Sequence, residues 1–125
     1  MKQTLELRRV FELARAMDAV ESGKPSMSLR GQIRWAGMRK ELFGHVERVQ
    51  ELIRERLKGE TTEEGKEAAA DKLNQELALE TVEVDLPLPI PHDFFTGPID
   101  APLSVITSLV GVVLAPEENG SPHAG

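Results

Sequence analysis

The chain has no cysteine and no tyrosine among its 125 residues, and its only aromatic rings are those of Phe11, Trp35, Phe43, Phe94 and Phe95. Without cysteine there are no disulfides, no cysteine–zinc sites and no thiol nucleophile. So few rings leave the core to be built from leucine, valine, isoleucine and methionine. Long hydrophobic runs are missing too. The longest weakly polar stretch, residues 102–116, is bounded by prolines and falls short of the roughly 20 residues that span a bilayer. The first nine residues interleave charge with apolar side chains, where a secretory leader needs an unbroken apolar stretch. A soluble protein of a reducing, cytoplasmic compartment is the expectation.

Catalytic signatures are also scarce. His45, His92 and His123 stand far apart, and none has a second ligand at metal-binding spacing. No glycine-rich phosphate loop, nucleophile elbow or zinc-protease helix is present. The carboxylates Glu63, Glu64, Glu67, Glu83 and Asp85 fall where a solvated acidic face is expected, not a paired acid and base in a pocket. The sequence therefore points to no catalytic, metal or cofactor-binding residues and to a protein that is not an enzyme.

What is present is patterned. A length of 125 residues accommodates one domain, and 40% hydrophobic with 29% charged residues is an ordinary folded composition. Charge is unevenly spread. Residues 1–58 carry 13 Lys/Arg against 8 Asp/Glu, a net +5, while residues 59–125 carry two lysines against 13 Asp/Glu, a net −11. This split suits either charge complementarity, within the fold or head-to-tail between copies, or two differently solvated faces.

Hydrophobic spacing predicts a helix over 4–21, with Leu7, Val10, Phe11, Ala14 and Met17 on one face. Gly23 and Pro25 are expected to end it, and Ser26 or Ser28 to cap the next. That second helix, roughly 28–58, carries a seam of Trp35, Met38, Leu42, Val46, Val49, Ile53 and Leu57. Gly31, Gly37 and Gly44 interrupt it, each costing about 1 kcal/mol relative to alanine, so a kink is expected. A helix of this length, about 45 Å, outreaches what a small domain covers, so part of the seam is expected to meet another chain. A purely intramolecular three-helix core is the alternative. Thr61 and Glu64 have capping-box spacing for a third helix to about Leu79, with Ala70, Leu73 and Leu77 inward.

The period then switches to two. Val82, Val84, Leu86, Leu88 and Ile90 alternate with Thr81, Glu83, Asp85, Pro87 and Pro89. Proline removes alternate donors, so the second half can only be an edge or polyproline-like extension. Gly111–Leu114 is the only other strand candidate in this reading, which leaves pairing with another molecule open. Strand Val82–Ile90 and the helical seam are the two candidate protein interfaces. Asp100 and Pro102 are expected to open a short C-terminal helix, with strand an alternative for its β-branched residues. The domain is drawn as 1–114 with an extended segment 81–91, followed by a flexible tail 115–125.

The fold class expected is mainly α: a helical hairpin or three-helix arrangement, one extended proline-rich β segment and a short C-terminal helix. Arg30, Arg34, Arg39 and Lys40, beside Trp35, form an alternative nucleic-acid face, as cations and a stacking ring. Against it stand Glu41, Glu47, Glu51 and Glu55 directly downstream and the net charge of −6.

One further cue is the order of features. An amphipathic helix and a long charged helix precede Leu73-Asn74-Gln75-Glu76-Leu77, then Glu83-Val84-Asp85-Leu86 running to Ile90, then a leucine-rich helix after Pro102. This order resembles a family of small proteins of tailed bacteriophages and prophages, over roughly residues 4–114. It departs from that family in its three alternating prolines and its arginine- and glycine-rich second helix. The resemblance implies no active-site residues. It does imply a setting: a virion component or assembly factor, in the host cytoplasm or the virion, working as an oligomer or on a protein partner. A small regulator of a host protein is the remaining option.

Overall fold

The computed structural model describes residues 2–116. The mainly α fold read from the sequence is the fold observed. It runs β1 (Lys2–Glu6), α1 (Leu7–Ser22), α2 (Leu29–Leu57), α3 (Glu63–Leu77), β2 (Thr81–Asp85), a single 3-10 turn at His92–Phe94, and α4 (Leu103–Leu109).

α1 lies at the centre, and it is buried on two sides. Leu7, Val10, Ala14 and Met17 form the stripe visible in the sequence, but Leu13, Ala16 and Val20 are buried as well. This second stripe shares its side of the helix with Arg9, whose guanidinium donates to the Ser108 carbonyl of α4 at 2.6 Å. The first stripe lies on the side where Asp18 and Glu21 reach α2. Trp35, Met38, Leu42 and Val46 from α2, Val84, Leu86 and Ile90 from the extended segment, and Leu109, Val113 and Leu114 close the same core.

The chain's beginning is extended, not helical. Residues 2–6 pair antiparallel with β2, Leu5 opposite Val82 and Gln3 opposite Val84. This corrects the expectation of a helix from residue 4, and it supplies the partner that the alternating strand lacked in the sequence reading. β2 thus has a ladder partner within the chain. The ladder stops at Asp85, where the prolines begin. Past that point the alternation breaks as well: Leu86 and Ile90 are buried but Leu88, which shares their face in a regular strand, is exposed. Ile90 donates to the Val113 carbonyl and accepts from Ala115, so Gly111–Leu114 lies against this segment by a bridge. Ala115 is thus held, which moves the start of the expected tail; residues 117–125 lie outside the described residues.

Side-chain caps start two of the four α-helices among the described residues. Ser28 Oγ accepts from the Gly31 amide at 3.2 Å and starts α2. Thr62, not Thr61, caps α3, accepting from the Gly65 amide at 3.0 Å. Pro102, not Asp100, precedes α4, with no side-chain cap; residues 103–109 are helical and the chain then turns through Gly111 at φ 95°. α1 ends where expected, with Gly23 as its C-cap, but not through a left-handed glycine. Lys24 takes the left-handed conformation at φ 51°, while Gly23 keeps a negative φ. Gly23 is there for space: a Cβ on it would run into the Asp100 carbonyl oxygen.

Candidate interaction surfaces

The seven-residue helical seam divides along its length. Trp35, Met38, Leu42, Val46 and Val49 are buried in the chain's own interior. Ile53 and Leu57 are only half-buried. The five strand residues divide likewise. Val84, Leu86 and Ile90 are fully buried, Val82 is half-buried against the core, and Leu88 points to solvent at 54% exposure. Of the twelve side chains singled out, Ile53, Leu57, Val82 and Leu88 retain accessible surface of note.

α2 and α3 form a projecting arm. Leu73 is the one buried side chain of α3. Lys58–Thr62 turns the chain, and Arg56 and Glu76 pair across the two helices at 3.8 Å. Two apolar recesses flank the line where Ile53 meets Leu77. One, about 360 Å³, is lined by Val49, Leu52, Ile53, Leu73 and Leu77 with Glu55, Arg56, Glu76 and Glu80 at its rim. The other, about 270 Å³, opens between α1 and α3 over Leu7, Phe11, Ile53 and Leu77, with Arg8 and Arg15 beside it. Leu52 and Leu79 extend the apolar surface at 60% and 86% exposure. The second recess could not be read from the sequence, because it needs α1 and α3 side by side and their residues are more than 40 positions apart.

The arginine set is largely committed to the fold. Arg30 and Arg34 lie over the Phe94 ring at 5.1 and 5.0 Å, and Arg34 also donates to the Pro89 carbonyl. Arg39 bonds Asp18 at 3.1 Å and Glu21 at 2.8 Å and lies 4.0 Å above Phe43. Burial acts to lower the Arg39 pKa, but the Asp18 hydrogen bond and the Glu21 and Asp18 charges outweigh it and the pKa is raised. Trp35 is buried, its indole N–H donating to Glu21 at 3.0 Å. The ring proposed to stack a base is therefore inside the core, and the four cations do not converge on a groove around it. Lys40 is exposed on α2.

Charge complementarity between the two halves of the chain is used sparingly. Lys2–Glu83 and Arg56–Glu76, both at 3.8 Å, cross the divide. Both are solvent-exposed and worth at most about 1 kcal/mol. Among the described residues no group of three His, Cys, Asp or Glu is placed to hold a metal ion, and no helix is long and apolar enough to cross a membrane. Compared with protein-family models, curated proteins and solved structures, the chain has no match in any of the three.

Proposed function

We propose that this is a non-enzymatic structural or assembly protein that works by oligomerising or by docking on a larger protein complex. The observation that carries this reading is the α2–α3 arm. It holds leucine and isoleucine side chains at the rims of two apolar recesses, yet α3 buries only one of its own residues. Exposed apolar surface concentrated on a projecting element is the usual mark of a protein contact. A partner helix laid along Ile53 and Leu77 would fill both recesses. The resemblance to tailed-phage proteins adds the setting, a virion component or assembly factor in the host cytoplasm or the particle.

The test is to follow the full chain by light scattering over a concentration series and to recover partners from the cells that make it. Masses above the 13.8 kDa of one chain, or a retained partner lost in Leu77→Asp, are expected. A single-chain mass throughout with no co-purifying protein would overturn the reading.

A further inference from the structure

The outward side of α2 carries a pattern that the core does not use, and it meets the arm only at Leu52. Leu29, Ile33, Gly37, Gly44, Arg48 and Leu52 fall on one broad side of the helix at about 3.6 residues per turn. Leu29, Ile33 and Leu52 are 71%, 63% and 60% exposed, three of the large apolar side chains left open to solvent. Between them runs a shallow groove of about 360 Å³, floored by Gly37 and Gly44 and walled by Lys40, Glu41 and Arg48. A Cβ at Gly44 would meet nothing within 4 Å, so the chain's own packing does not require glycine there.

Charge along this helix changes sign. Residues 29–40 contain Arg30, Arg34, Arg39 and Lys40 and no acid; residues 41–57 contain Glu41, Glu47, Glu51 and Glu55 with Arg48, Arg54 and Arg56, a net −1. A second copy laid parallel would put like charge over like. Laid antiparallel about a two-fold axis between Lys40 and Glu41, it brings opposite charges together at three positions, Arg34 with Glu47 among them, and lays Ile33 against Arg48. Arg30 then faces Glu51, Lys40 faces Glu41, Leu29 faces Leu52, and Gly37 faces Gly44 where the helices come closest. A two-fold contact of this kind uses one patch twice, so the patch must be self-complementary. This one is.

We propose that the outer face of α2 binds a second copy of this chain as an antiparallel, two-fold helix pair. The inference rests on the contact-based reading above and names the occupant of one surface within it. Charge decides the orientation and the exposed leucines and isoleucine supply the apolar contact. Leu52 belongs to this face and to the first arm recess; the second recess, between α1 and α3, stays free for a different partner.

The test is charge exchange in the full chain, with mass read by sedimentation and folding checked by circular dichroism. Arg30→Glu alone and Glu51→Lys alone are each expected to weaken self-association on the order of tenfold or more, because each places like charges together twice. An equimolar mixture of the two is expected to recover wild-type association. In the mixed pair the two introduced charges oppose each other with opposite sign, and the second Arg30–Glu51 contact remains native. Ile33→Arg, which sets like charge against Arg48 twice, is expected to be folded and monomeric. A wild type that stays monomeric at every concentration overturns the two-fold pair, even where a partner is still captured through the arm. So does a mixture that associates no better than its components, or an Ile33→Arg chain that associates like wild type. Loss of partner capture with the pair intact would instead count against the arm.

Discussion

At the scale of single residues, two neighbours at the end of α1 carry opposite demands. Lys24 adopts a left-handed backbone that costs an L-residue about 1–2 kcal/mol, and glycine would adopt it freely. Gly23 needs no such freedom but has no room for a Cβ. Lys24→Gly is therefore expected to raise stability by about 1 kcal/mol, and Gly23→Ala to lower it by about 1–3 kcal/mol. Urea unfolding followed by the emission of Trp35, the chain's single tryptophan, measures both. Equal effects of the same sign would contradict the assignment. The sequence alone suggested that Gly23 ended the helix through its own conformation. It did not show Asp100, 77 positions away, lying against it. The Arg39 cluster gives a second expectation at this scale. A raised folded pKa contributes stability that is present below the ordinary arginine value and lost only as pH rises through the folded one. Arg39 titration should thus add no pH dependence to stability across the neutral and mildly alkaline range, as unfolding measured over that range would show.

Among the elements, α3 is the least secured and α1 the most. Thr62 provides the α3 cap, so Thr62→Ala is expected to cost about 1 kcal/mol, and hydrogen exchange should speed up across residues 63–77 while α1 stays protected. Leu13→Ala, in the buried centre of α1, is expected to cost about 2–5 kcal/mol in the same unfolding experiment. The helices themselves were legible because their apolar spacing repeats over several turns. β1 was not. In Lys2–Glu6 only Leu5 is a large apolar side chain, so there is no alternation to read, and the strand exists because β2 offers it a ladder. The second buried stripe of α1 was written in Leu13, Ala16 and Val20. Its meaning depended on α4 lying on that side, which local periodicity does not encode. The boundaries at Thr62 and Pro102 each differed from expectation by one or two residues, since neighbouring threonines and an Asx-Pro pair offer competing starts.

For the whole molecule, the sequence reading placed contact on a seam and a strand, and the fold redistributes those residues. Most of the seam and the inward half of the strand form the chain's own core. Apolar surface remains instead at the outer ends and sides of α2: Leu29 and Ile33 near its start, Leu52 and Ile53 near its end, with Leu77 across the arm. A helix of 29 residues extends about 43 Å, and no residue of it beyond Val49 is buried. Its length is what leaves surface over, and that surface is where an assembly role has to act. Which residues were left uncovered depended on where the third helix and the proline segment came to rest. That is a three-dimensional outcome, and the linear pattern from Trp35 to Leu57 treats all seven positions alike.

The most direct measurement is the mass of the folded full chain by light scattering as its concentration is raised. The mass is predicted to climb from 13.8 kDa toward twice that value, and to remain at 13.8 kDa in Ile33→Arg. A folded wild-type chain that holds at 13.8 kDa to the highest concentration reached would contradict self-association through α2.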